Sequence, residues 1–160
     1  MHARKDPSGD KLMKPSMPLR VAALLMLFHA LAHTIGGVLR SPPPGSPQQA
    51  VLETMRAHAF PVMGTMRSFA DFYRGYGIAS AVAMLVFAAV LWQLARPADI
   101  EPHRVRGLLW TMLLGLTAFA LAEWRYFFPL AAGTTSLAAA MIAWALRAAR
   151  RPALLPAAPG

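Results

Sequence analysis

The sequence predicts an all-α polytopic transmembrane four-helix bundle with a short outer amphipathic helix. Three observations carry that expectation. Of 160 residues, 56% are hydrophobic and 14% are charged, against about 25% charged in an ordinary soluble domain. Four runs carry no charge, over 21–39, 75–95, 107–122 and 126–146. None alternates with the period of two that a barrel strand requires. A helix needs about 20 residues to cross about 30 Å of hydrocarbon. Lipid admits only helices or closed barrels, because backbone groups find no water there. Spans are therefore expected at about 20–39, 75–96, 107–124 and 126–146, inside a membrane domain of 19–147. Residues 1–18 read as a disordered basic tail and 148–160 as a second tail, both cytoplasmic.

The first span follows Arg4, Lys5, Lys11, Lys14 and Arg20. Ala30-Leu31-Ala32 resembles a signal-peptidase site after a basic region, but the apolar stretch runs on to Leu39, which favours an uncleaved span. Basic residues concentrate on cytoplasmic loops. Both tails and the link between spans two and three carry eleven Lys and Arg, and the opposite side carries five: Arg40, Arg56, Arg67, Arg74 and Arg125. That bias predicts both termini in the cytoplasm of a bacterial inner membrane. It also accounts for a net charge of +9 without nucleic acid, because the basic residues flank spans and do not interleave with aromatics in a groove. Trp92, Trp110 and Trp144 fall near the inner surface. Tyr73, Tyr76, Trp124 and Tyr126 fall near the outer one, as expected of interfacial rings.

The outer connection covers 40–74. Its Pro-rich start, residues 41–47, leaves the membrane as extended chain. Ser46 then reads as an N-cap, with Pro47 at the first helical position and Gln49 closing a capping box. The helix it starts is expected to run to about Ala59 with Val51, Leu52, Met55 and Ala59 on one face, resting on the membrane surface or the bundle. Ser68 and Asp71 have capping spacing for span two, and Pro97 is expected to end it. Spans three and four form a tight hairpin through Glu123-Trp124-Arg125, with Pro129 in the first turn of the fourth. Gly133, Thr134, Ser136 and Ala140 supply a small-residue face for close packing.

Chemistry is sought where polar residues enter a span, because such residues are expensive in lipid and face the bundle interior. His29 and His33 lie four apart on one helix face, a stripe that Gly36 and Arg40 continue. With His58, Arg67, Asp71, Arg74, Glu123 and Arg125 they make a polar cluster toward the outer face. One reading is structural: Glu123 pairs with Arg40 or Arg74, Asp71 pairs with Arg67, and the histidines bond across helices. A second reading is a metal site on His29, His33 and a carboxylate, Glu123 or Asp71, since two His at i, i+4 reach one metal. That reading makes the chain a metal-dependent membrane oxidoreductase. Haem is disfavoured, because both intramembrane histidines share one helix and His58 or a Met has to complete the ligation. A proton relay through His33 and Glu123 is a third. No Cys is present, which excludes disulfides and thiolate ligands, and no phosphate loop, nucleophile elbow or dinucleotide fingerprint occurs. The partner implied by composition is the lipid bilayer.

Three motif blocks resemble a group of small bacterial integral membrane proteins of unknown function with four helices. They are HALAHTIGG over 29–37, then MRAHAF, PVMG and TMRSFADFYRGYG over 55–77, then WRYFFP over 124–129. The resemblance covers about 20–146 and brings no activity or catalytic residue with it. A looser likeness to DoxX-like membrane proteins rests on architecture alone. The functional reading set beside the metal-dependent oxidoreductase is a binding, transport-accessory or assembly protein of the inner membrane, whose polar cluster is structural or receives a small ligand.

Overall fold

The structure, a computed structural model, describes residues 14–149. Most of the two expected tails, with Arg4, Lys5, Lys11, Arg150 and Arg151, lies outside the described residues. Among the described residues the chain is all-α apart from one small hairpin. Its elements in order are helix α1 (Ser16–His33), a π-helical turn (Thr34–Val38), α2 (Pro47–Ala57), strands β1 (Ala59–Val62) and β2 (Thr65–Ser68), α3 (Phe69–Ile100), α4 (Pro102–Tyr126) and α5 (Pro129–Ala148). Four of these helical segments are long and apolar enough to cross a membrane: Ser16–Val38, Phe69–Ile100, Pro102–Tyr126 and Pro129–Ala148. The chain is a multi-pass membrane protein.

The four long helices form a ring. α1 packs on α3 and α5, and α4 packs on α3 and α5. α1 and α4 therefore sit across the ring from each other. Each inward stripe follows a seven-residue repeat. In α3 it reads Ala81, Met84, Ala88, Leu91, Ala95 and Ala98; in α5, Ala131, Thr135, Ala138, Ile142 and Ala145. That spacing is the one which keeps a seam against a neighbouring helix. The repeated alanines let backbones approach closely, which matters in lipid because association there rests on packing rather than on hydrophobic burial. The small face of α5 is thus Ala131, Ala132, Thr135, Ala138 and Ala139. Of the expected set, Gly133, Thr134 and Ser136 are half-buried and Ala140 is exposed.

The helix ends differ from those expected. α1 begins at Ser16, ahead of the apolar run, with no side-chain cap of its own. Asp99 of α3 supplies the cap from across the interface, accepting from Ser16 N–H at 2.8 Å. Arg20 lies over the Trp92 ring at 5.7 Å, tying the same two helices. Pro97 does not end α3. The helix runs on to Ile100, and the Glu101 N–H donates to Pro97 O at 2.8 Å. One proline in an exposed last turn removes one hydrogen bond, and its preset φ is helical. Pro102 then opens α4, so the expected link between spans two and three shrinks to Glu101. α4 likewise runs past Glu123 to Tyr126, and the turn to α5 is Phe127-Phe128.

The outer connection holds one element that the sequence does not predict. Residues 59–68 form an antiparallel hairpin pairing Ala59 with Ser68 and Val62 with Thr65. Its two-residue turn places Met63 at φ 47° and Gly64 at φ 83°, the pair of positive φ that matches strand twist. Phe60 anchors it, 5.0 Å from Phe69 and 6.2 Å from Phe72 between ring centroids. Both serine caps form, but only the one at Ser68 closes the expected capping box. Ser46 Oγ accepts from Gln49 N–H at 3.2 Å, although Gln49 Oε1 reaches back to Gly45 N–H rather than to Ser46. Ser68 and Asp71 form a full capping box.

Candidate functional site

Two polar features occupy the end of the bundle opposite the Ser16–Asp99 contact. The first is a buried network across three helices. His29, Glu123 and Thr135 are 7%, 4% and 0% exposed, and lie on the core stripes of α1, α4 and α5. His29 Nε2 is 3.3 Å from Glu123 Oε1. His29 Nδ1 shares a 3.1 Å hydrogen bond with Thr135 Oγ1, its direction set by the imidazole tautomer. The imidazole thus bridges the diagonal of the ring. Glu123 Oε2 is buried without a hydrogen-bond partner among the described residues.

The sequence reading pairs Glu123 with Arg40 or Arg74. It meets His29 instead, because it stands one turn inside α4, in step with Leu116 and Ala120, and so points into the core. Thr135 carries no signal in the sequence. Threonines in membrane helices commonly bond their own backbone, as Thr134 Oγ1 does to Leu130 O at 2.8 Å, so a threonine that reaches another helix has no local signature.

His33 leaves this network. Its Nε2–H donates to Gly77 O on α3 at 3.0 Å. Gly77 packs closely here: a Cβ there meets Val38 Cγ2 at 3.2 Å and His33 Nε2 at 3.9 Å. The π-helical turn begins immediately after His33. Leu39 N–H donates to Thr34 O at 2.9 Å, and Thr34 Oγ1 donates to Ala30 O at 2.7 Å. Such widened turns gather at functional sites. Among the described residues no three His, Asp or Glu side chains are placed to hold a metal. Of the expected His29, His33 and Glu123 set, only His29 and Glu123 are within contact distance of each other. His58 turns back on its own helix, its Nδ1–H donating to Thr54 O at 3.0 Å.

The second feature is a cleft of about 860 Å³. Its walls are the end of the first span, α2, β2 and the first turns of α3, and His33 lies on its lining. It brings together Arg40, Arg67, Asp71 and Arg74, all expected in the cluster, and adds Arg56. Arg125 is not in it and lies over the Tyr126 ring at 5.3 Å. Asp71 does not pair with Arg67 as expected. It is engaged by the α3 cap, accepting from Ser68 N–H at 2.8 Å and Ser68 Oγ at 3.0 Å. Glu53 also lines the cleft, and accepts from Gln49 Nε2 at 2.7 Å. In the sequence Arg56 lies off the apolar face of the short helix, with nothing to join it to the other arginines; the docking of α2 beside α3 puts it on the same lining.

No family model, curated protein or solved structure matches the chain.

Proposed function

We propose that the chain is a bacterial inner-membrane protein of four spans, with both termini in the cytoplasm and a ligand-binding cleft on the opposite side. Its role is binding, in transport, assembly or as an accessory subunit. One observation carries this reading: the cleft of about 860 Å³ assembled from three separate stretches of chain at one end of the bundle. A volume of several hundred cubic ångströms suits a small-molecule site. The sequence bias of eleven Lys and Arg in the two tails and the link between spans two and three, against five on the other side, supports the orientation. Exposed Tyr73, Tyr76, Trp124, Tyr126, Phe127 and Phe128 ring the cleft end, as interfacial aromatics do. The contribution of α1 to the core, through Leu19, Ala22, Met26 and Ala30, supports a retained first span. The motif likeness to small bacterial four-helix membrane proteins points the same way.

Absence of native Cys makes the test clean, since each introduced thiol is unique. Ser46→Cys on the outer connection, Ser80→Cys on the cleft lining and His103→Cys at the opposite end are treated with a membrane-impermeant maleimide in intact cells. Ser46→Cys and Ser80→Cys are expected to label, and His103→Cys only after the membrane is opened. Labelling of His103→Cys alone reverses the orientation. An unreactive Ser80→Cys beside a reactive Ser46→Cys shows a cleft closed to water and ends the binding reading.

A further inference from the structure

Arginines near a carboxylate are ordinarily spent on it. Here the cleft gathers Arg40, Arg56, Arg67 and Arg74, and among the described residues none lies within 4.0 Å of a carboxylate. The two acids on the same lining, Glu53 and Asp71, are held by Gln49 and by the Ser68 cap. Four arginines thus line a shared space without acidic partners, Arg67 donating to its neighbour's backbone at Met66 O, 3.4 Å away. Their planar forks match the oxygens of a phosphate or carboxylate, two bonds at a time. Four of them exceed what a lone carboxylate neutralises, and a tetrahedral phosphate offers more acceptor oxygens. Like charges held close repel, and a bound polyanion removes that cost. Tyr73 and Tyr76 lie on the same lining, placing the arginines at the level of the interfacial aromatics and of lipid headgroups.

We propose that this cleft is an anion site that takes a phosphate ester, either the headgroup of an acidic phospholipid or a soluble phosphate-bearing molecule. The proposal rests on reading the cleft as the binding site. Ser80→Cys labelling tests that reading without any anion, so the two fail separately: an open cleft that binds no phosphate refutes only the present inference.

The experiment uses the full chain in detergent. Native mass spectrometry counts retained phosphatidylglycerol against phosphatidylcholine, and calorimetry titrates inorganic phosphate at low and high salt. Three variants accompany the wild type. Arg40→Gln/Arg74→Gln removes two cleft charges. Arg40→Lys/Arg74→Lys keeps the charge and removes the fork. Arg125→Gln removes a cation from the same end outside the cleft. Removing one charge-assisted hydrogen bond is expected to weaken binding by about tenfold or more. The lysine pair falls between wild type and the glutamine pair, Arg125→Gln behaves as wild type, and salt weakens binding throughout. Preference for phosphatidylglycerol without phosphate binding assigns a headgroup; saturable phosphate binding that displaces phosphatidylglycerol assigns a soluble ligand. Binding of neither probe overturns the proposal, as does a weakening in Arg125→Gln equal to that in the glutamine pair. Unfolding temperature is read on every variant. Should the glutamine pair fail to fold, the lysine pair and the salt series on wild type decide.

Discussion

His29, Glu123 and Thr135 are buried side chains that bond across helices, so their substitutions are expected to register in stability. Glu123→Ala leaves the buried His29 Nε2 without its 3.3 Å partner, and a buried polar group left unpaired costs about 1–3 kcal/mol. Thr135→Val keeps the volume and removes one interhelical bond, which in membrane helices costs about 0.6–1.7 kcal/mol. His29→Leu/Glu123→Leu removes both partners at once and is expected to fall short of the summed single losses by about 1 kcal/mol or more. Unfolding in detergent of the four proteins of that cycle is the measurement; strict additivity would show that the two side chains do not share their energy. His29 and Glu123 were legible in the sequence as polar residues in or beside a span. Their pairing was not. It depends on which helices face across the ring, and Arg40 and Arg74, expected at the same end of the bundle, offer Glu123 a rival pairing that only the rotation of α4 excludes.

At the scale of elements, the long helices were legible because twenty apolar residues without charge leave few alternatives, and both Ser caps were legible from local spacing. The hairpin was not. Its strands are four residues each, Pro61 sits inside the first, and its turn carries Met63-Gly64 in place of Asn-Gly or Asp-Gly. The pairing is held by Phe60 on Phe69 and Phe72, a tertiary contact without a local sign. The strain at Met63 has a consequence. A left-handed conformation costs an L-residue about 1–2 kcal/mol, and Asn relieves part of it. Met63 is fully exposed and gives up no packing on replacement. Met63→Asn is therefore expected to stabilise the hairpin by about 0.5–1 kcal/mol, seen as slower hydrogen exchange at Val62 and Thr65. Unchanged or faster exchange would mean that the strand contacts, not the turn, limit opening.

The molecule as a whole is turned outward relative to a soluble bundle. Leu24, Leu31, Val82, Leu85, Leu114, Leu121 and Leu137 are exposed side chains of the long helices, and the core that remains is dominated by alanine. In water such a surface would drive association; in a bilayer it is the solvated face. The two readings separate at two leucines of equal exposure and different depth. Leu114, 66% exposed, lies at the midpoint of α4, and Leu39, 67% exposed, lies just past the π-helical turn on the lining of the cleft. Neither contributes to the buried core. An arginine at the centre of a span costs about 2.5–3.5 kcal/mol on insertion scales, whereas near the interface its long side chain reaches water and the cost shrinks. Leu114→Arg is therefore expected to lose most of its membrane-inserted, folded protein, and Leu39→Arg to keep nearly all of it, by quantifying carbonate-resistant protein in membrane fractions. A bundle solvated by water predicts equal, small effects for the pair, because exposure alone would then set the cost. Depth enters only when lipid is the solvent, so the difference between two equally exposed positions reads the medium directly.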